Sequence, residues 1–584
     1  MQDQKNLIAA IGLSLLVLLG YHYFIERPRL EKMRDLATQE AARTPAPVTA
    51  AKPVIAAPET REDILDKTVR RIPITTPSVT GTINLKGARF DDLQLAKYFT
   101  TLEHQEKVIL LSPVGTEAPY YIEQGWLAEN IKTPDANSVW QSDDKELTPA
   151  KPITLRWQNG EGLTFIKTIS VDDNYMFTVA QKIENGSGKE VVLFPYARIM
   201  RLHHENTENS HTIDSSMGLV TQGLLGVLDG EYQSAKYDEL TEKSELKEET
   251  RSFTSTGGWL GITDKYWFTA LVPNQEKPIT ARYVRTGEKV MGGTWPFRHT
   301  AEDNRDFQAD WRGEAVKVAA GATAEDTSSF YAGAKVVRIL DGYEKSMHIP
   351  RFDLAVDFGW FYILTKPFFY LLTWLGQHVG NFGLAIIVFT LIIRVAMFPI
   401  AAQSYHSMEK MKIAGPKMKE LQAKYKSDPA KLQGEMMAFY KKEKVNPMAG
   451  CLPMLIQIPI FFSLYKVLYV TLEMRHAEFF WAWKDLSAPD PTNLFNLFGL
   501  LPFTPPAILH LGLLPLLMGL TTWLQMKLQP TPTDPTQKQI MAMMPWMMMI
   551  MMAGFPAGLL VYWTFSNIIA IAQQWWMTRK RQTT

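Results

Sequence analysis

Residues 389–400 read FTLIIRVAMFPI. The run is apolar on both sides of Arg394, long enough to belong to a membrane span and interrupted by a permanent cation. A charge at the centre of a membrane helix costs about 2.5–3.5 kcal/mol on insertion scales. If this run crosses a bilayer, the guanidinium needs a partner, water or a use.

Working outward, residues 378–402 form the expected span, ending near Pro399. Residues 403–448 are polar and basic, with ten lysines against five acids. Met408, Met411, Met418, Leu421 and Tyr425 fall near helical spacing, and Gly415-Pro416 is expected to break or kink that helix. Asp428 as N-cap with Pro429 at the first helical position starts a second amphipathic helix, so the segment predicts a helical hairpin. Further apolar runs predict spans at 449–470, 507–527, 539–555 and 557–576. They are separated by a Trp-rich loop (471–506), a short loop (528–538) and a turn at Phe555-Pro556, and are followed by a tail at 577–584. Before the central run, 346–377 is nearly long enough to span. It holds Asp353, Asp357 and Lys366-Pro367, which suits an amphipathic helix lying in the interface.

The first 345 residues differ in kind. Residues 6–25 hold no charge and are long enough to cross a bilayer core. They run into Glu26-Arg27-Pro28 without a small-residue cleavage pattern, so 1–25 reads as an uncleaved anchor. Residues 26–61 are a flexible Ala/Pro-rich linker. Residues 62–345 carry β-branched and aromatic segments in partly alternating order. Asn159-Gly160 and Asn185-Gly186 stand among them as hairpin signals. The expected architecture is a two-sheet β-sandwich beside an all-α polytopic core of six spans, five of them forming the core proper: a multi-domain membrane protein. The lysine-rich hairpin and the tail Arg579-Lys580-Arg581 belong in the cytoplasm by the positive-inside rule, which puts both termini inside and the β domain outside. The flanks of the first helix (Lys5 before it; Arg27, Arg29, Lys32 and Arg34 after it) favour the opposite orientation.

The five other predicted spans contain no Asp or Glu. Arg394 therefore has no fixed carboxylate partner within the membrane. It lies about eight residues, roughly 12 Å of helix, from the inner end of its span. Two solutions stay open: snorkelling to the headgroups, or facing a hydrated groove between helices. Polar residues that can line such a groove are Thr390 one turn away, Gln457 and Ser463, Thr521, Thr522 and Gln525, and Thr564, Ser566, Asn567, Gln573 and Gln574. The competing reading makes Arg394 a topology anchor and the amides interhelical glue.

The net charge of +1 gives no sign of nucleic-acid binding, and a single cysteine, Cys451, rules out a disulfide framework and a Cys-based metal site. His203-His204 lacks an evident carboxylate partner. No Walker-type motif is present, and no catalytic residue, metal site or cofactor is expected. Eight methionines in IMAMMPWMMMIMMAGFP (540–556) suit either a surface that accepts many sequences or plain lipid-facing filler. Lys466, near the outer end of its span, is expected to snorkel. The hairpin lysines Lys410, Lys412, Lys417, Lys419 and Lys424 can meet ribosomal RNA, targeting machinery or anionic lipid headgroups, or simply form a solvated face.

Three segments resemble one family: FGLAIIVFTLIIRVAMFPIAAQSYHSMEKM, KKEKVNPMAGCLPMLIQIPIFFSLY and FPAGLLVYWTFSNIIAIAQQ. They occur in the order found in the YidC/Alb/Oxa family of membrane protein insertases, over roughly 350–580. The anchor and β domain look like its Gram-negative version. The resemblance implies five core helices around a hydrophilic groove open to the cytoplasm and lipid. Arg394 and Thr390 match groove positions, and Tyr562 and Trp563 fall where the family's aromatics touch a substrate helix. It implies nascent membrane proteins as substrates. The implied partners are the Sec translocon, the ribosome and targeting machinery, and membrane lipids, in the bacterial inner membrane. One departure is FNLFGLLPFTPPAILH, inserted between the third and fourth spans (about 493–508), and another is the short tail, which weakens the case for ribosome binding. The rival classes are a transporter or channel using Arg394 as an anion site, and an envelope structural or glycan-binding protein.

Overall fold

The computed structural model describes residues 58–582 apart from 68–69, 204–220, 238–247, 287–288, 293–298, 304, 426–427, 444–451, 502–510 and 529–534. The predicted anchor (1–25) and most of the linker lie outside the described residues.

After a short helix α1 (Arg61–Lys67), the chain forms strands from Arg71 to Ala334. They build a ten-stranded and an eight-stranded sheet that face each other, the expected sandwich. Alternation makes the core. In Leu163–Val171, Leu163, Phe165, Ile169 and Val171 point inward, and in Met176–Asn185 so do Phe177, Val179 and Ile183. Aromatics fill the middle, with Phe177 stacked on Phe330 at 4.7 Å. Each fully buried ring contributes about 1.5–3 kcal/mol.

The two Asn-Gly signals have different fates. Asn159-Gly160 lies in the hairpin between Ile153–Gln158 and Leu163–Val171. The Asn159 side-chain oxygen accepts from the N–H groups of Glu161 and Leu163, and Gly160 takes φ +79°. Asn185-Gly186 closes no hairpin: Met176–Asn185 belongs to the eight-stranded sheet and Val191–His203 to the ten-stranded one. The Asn185 amide instead donates to the carbonyls of Lys189, Val318 and Ala319, pinning a corner between sheets.

The helical half begins with α2 (Val337–Ser346) and continues with α3 (Tyr362–Val379), α4 (Phe382–Ala396), α5 (Phe398–Lys424) and α6 (Pro429–Lys442). It ends with α7 (Leu452–Val470), α8 (Leu513–Leu528), α9 (Pro535–Met551) and α10 (Ala557–Gln582). Among the described residues, no single helix is long and apolar enough to cross a membrane. Helix α4 and the first part of α5 (Phe398–Ser407) satisfy that test together by length and composition, bent by 58° at Met397. The run expected at 378–402 is therefore broken: Phe398-Pro399 opens a new helix, where proline needs no N–H partner. Pro416, expected to break or kink the following helix, does not break it: it sits inside α5, which runs on to Lys424. Asp428 caps α6 by accepting from the Lys431 N–H at 3.1 Å.

The two halves are tied together. Arg475 donates to the carbonyls of Phe99 (2.5 Å) and Thr100 (3.3 Å) and lies over the Trp267 ring at 5.4 Å. Tyr266 donates to Ser487 at 3.3 Å, and Lys265 lies 3.6 Å from the centre of the Tyr469 ring. Lys466 does not snorkel. Its ammonium pairs with Asp357 at 2.8 Å, and the same carboxylate oxygen accepts from the backbone and hydroxyl of Thr221. Burial alone would raise the Asp357 pKa, but Lys466 and these donors hold it below the ordinary carboxylate value.

Candidate functional site

Helix α4 starts where Asn381 accepts from the Leu384 N–H at 3.0 Å, directly after Gly380 ends α3 in the left-handed region. Arg394 lies in its last turn, half-buried. The guanidinium meets α10: Nε and Nη2 both donate to the Ser566 hydroxyl, at 2.9 and 2.6 Å. Gln573 of the same helix donates to the Arg394 carbonyl at 3.3 Å. Among the described residues, no carboxylate forms an ion pair with Arg394. A guanidinium has five N–H donors, and a single neutral hydroxyl leaves its charge uncompensated.

Helix α10 is the hub of the polar residues. Gln457 of α7 donates to the Tyr562 hydroxyl at 2.7 Å. Asn567 donates to Thr521 (3.2 Å) and Thr522 (2.9 Å) of α8. Trp563 packs edge-on against Phe461 at 4.9 Å. The hydroxyls of Ser463 and Thr564 are buried without a protein partner among the described residues. Gln525, one turn beyond Thr521, is half-buried.

Two residues that the resemblance assigns to the groove are buried. Thr390 is fully buried and donates to the Ile386 carbonyl of its own helix at 2.6 Å, so it does not join Arg394. Tyr562 is also buried, its ring within the helix packing rather than on an open face. Ser566, one of the polar residues of the last predicted span, is the one that the guanidinium meets. It stands one turn from Tyr562 on the same helix, and that i+4 spacing was the available signal.

The outer faces of these helices are apolar. Leu391 and Val395 of α4, Leu455 and Phe462 of α7, and Met543, Met547 and Met551 of α9 are exposed. Met541, Met544 and Met548 of α9 are half-buried, and Met549 packs against Gly519 of α8, where a Cβ would fall 3.0 Å from its sulfur. In the hairpin, Ala414 and Met418 are buried while Lys410, Lys417 and Lys424 are exposed. Lys424 and Lys431 flank the Tyr425 ring at 5.4 and 5.6 Å. The side chains of Lys412 and Lys419 lie outside the described residues, as does His204. Asp341, Glu344 and Asp353 come close together. Lys366 donates to Asp341 at 2.9 Å and Asp353 at 2.6 Å, so an ammonium already engages two of the three carboxylates.

Residues 374–584 match the family described as 60Kd inner membrane protein, and residues 71–371 match the YidC periplasmic domain. A membrane protein insertase YidC of Methylorubrum extorquens is 42% identical, over 99% of this chain and 95% of its own length. One from Granulibacter bethesdensis is 44% identical, over 99% and 98%. Among solved structures, a crystal structure of an active YidC insertase with its first transmembrane domain resolved covers 87% of this chain and 92% of its own, at 16% identity and a TM-score of 0.34. Identity at this level over nearly the whole of both chains establishes that this protein belongs to the YidC family of membrane protein insertases.

Proposed function

We propose that the chain inserts nascent proteins into the bacterial inner membrane, with its β-sandwich in the periplasm and both termini in the cytoplasm. In this reading six spans cross the bilayer, the bent α4–α5 pair and α7 to α10 making the core and residues 6–25 the anchor. An incoming segment presents a short polar, often acidic, outer flank. Arg394 attracts that flank. A groove lined by Gln457, Thr521, Gln525, Asn567 and Ser566 hydrates it, and the apolar segment then leaves along the greasy helix faces into lipid. Burial of that segment's apolar surface drives the step, so neither nucleotide nor covalent chemistry is involved. The hairpin lysines meet the ribosome, targeting machinery or anionic headgroups, and the Sec translocon is a further partner.

The observation that carries this reading is Arg394 held by a neutral serine, with no ion-pairing carboxylate among the described residues. A topology anchor would reach the headgroups, whereas this guanidinium turns into the helix bundle against α10. The test is reconstitution. Purified protein in liposomes should promote insertion of a small coat-like substrate without ATP. Ion flux without insertion would favour a transporter. Insertion unaffected by Arg394→Glu but lost on removing the β domain would move the function to the sandwich.

A further inference from the structure

From Pro491 to Met526 the chain contains no Asp, Glu, Lys or Arg. The proposed mechanism does not use this run. Structurally it is an excursion with a closed neck. Asp490, fully buried, accepts from the Trp483 indole (2.9 Å) and from the Thr492 backbone and hydroxyl with one oxygen. Its other oxygen accepts from the Leu514 N–H at 2.7 Å. The Thr492 hydroxyl accepts from the Leu513 N–H, and the Leu494 N–H donates to the Leu511 carbonyl. A Cβ at residue 512 would fall 2.4 Å from an Asp490 carboxylate oxygen, so Gly512 is what lets the neck close. The neck also occupies donors at the first turn of α8.

Beyond the neck the chain does the opposite of what a water-facing loop does. Leu497 and Phe498 take φ +50° and +58°, strained for bulky side chains. Leu494, Phe495, Leu497, Leu500 and Leu501 are all exposed, Leu500 by 82%. Leu517, Leu520 and Leu524 of α8, the helix whose first turn the neck bonds, are exposed as well. Its level is set by its base. The same loop bonds the first turn of α10 through the carbonyls of Leu486 and Ala488, and bonds Asn381 at the start of α4 through that of Phe479. It touches the β-sandwich through Arg475 and Ser487.

We propose that residues 494–501 form a hydrophobic finger seated in the lipid leaflet on the β-sandwich side, prolonging the lipid-facing surface of α8. The inference rests on the reading that α8 crosses the membrane. An uncharged, apolar, exposed segment joined to that surface at the helix end has lipid as its matching solvent. The Asp490–Thr492 lock holds it at that depth.

The test uses the full chain with Cys451→Ser in liposomes of phosphatidylethanolamine and phosphatidylglycerol, carrying a nitroxide on Leu500→Cys. Collision with dissolved oxygen is compared with collision with a water-soluble nickel chelate. Leu520→Cys is the lipid reference, and Glu161→Cys, exposed in the hairpin at the far end of the β-sandwich, is the water reference. Leu500 is expected to follow Leu520, with oxygen collisions favoured severalfold over the chelate. A ratio like that of Glu161 overturns the proposal, and so does low collision with both reagents, which would mean cover by protein or a second copy. A water-like ratio at Leu520 itself would overturn the membrane reading beneath it. Insertion assayed in the same vesicles reports separately on function.

Discussion

Arg394 of α4 and Ser566 of α10 lie 172 residues apart, yet two guanidinium nitrogens share that one hydroxyl. The pairing ties the two helices without neutralising the cation. Its physical character decides whether the site is wet or dry.

Ser566→Ala removes the guanidinium's acceptor. In a hydrated groove water takes its place, and a bridging water is nearly as good as the direct bond. Stability should fall by about 1 kcal/mol or less, and insertion should change little. A loss of roughly 3–5 kcal/mol in detergent unfolding would be the mark of a charge stranded in dry packing.

Tyr562→Phe keeps the buried ring and deletes the oxygen that accepts from Gln457. Interhelical hydrogen bonds in membrane proteins average about 0.6 kcal/mol. A small stability loss with insertion retained is expected. Tyr562→Ala should cost several times more through lost packing. Paired thermal melts and insertion assays check both, and equal losses for the two variants would contradict the packing account.

The Lys466–Asp357–Thr221 junction should be insensitive to pH near neutrality. Because the folded-state pKa of Asp357 is depressed, its contribution is complete above the unfolded carboxylate pKa and is lost as pH falls through the lower folded value. Asp357→Asn should therefore lower the melting temperature at pH 7 and make no further difference in strong acid. Melting curves from neutral to acid pH, with Lys466→Met as a second probe, measure this.

Glu473 gives the opposite sign. Burial pushes its carboxyl up to about 7, and one of its oxygens is buried without a partner among the described residues. The folded state then holds a proton that the unfolded chain releases near its ordinary pKa, so stability falls as pH rises from about 4.5 to 7. Glu473→Gln should remove that slope and raise the melting temperature at pH 8 but not at pH 4. An unchanged slope would show that Glu473 is hydrated.

Much of this was legible in residue types. Alternation marks the sandwich strands because inward and outward side chains differ in every one. The absence of Asp and Glu from the apolar runs already said that Arg394 would find no acid there. Other features depend on distance in space. Asn185-Gly186 has the local chemistry of a hairpin, but which sheet receives the next strand is set by packing elsewhere. Lys466 reads as a snorkelling cation until Asp357, 109 residues away, is brought beside it. Thr390 shares a helix face with Arg394 by spacing, yet its hydroxyl bonds its own backbone. The bend at Met397 is half visible: Pro399 marks a helix boundary in the sequence, and in the structure it begins a helix rather than ending one.

In the proposed mechanism the Arg394 charge draws an acidic flank across. The direct measurement is a charge swap in ATP-free liposomes, following insertion of a coat-like substrate by protease protection. Wild-type protein and the Arg394→Lys and Arg394→Glu variants are each given acidic and lysine-bearing outer flanks. Two unit charges 4 Å apart interact by about 1 kcal/mol in water and about 4 kcal/mol at a partly screened site, so reversing the sign should slow the acidic substrate roughly tenfold or more. Arg394→Lys should be mild, Arg394→Glu severe on the acidic flank, and the lysine-bearing flank should recover part of the loss with Arg394→Glu. Equal rates for both flanks with all three proteins would contradict the account.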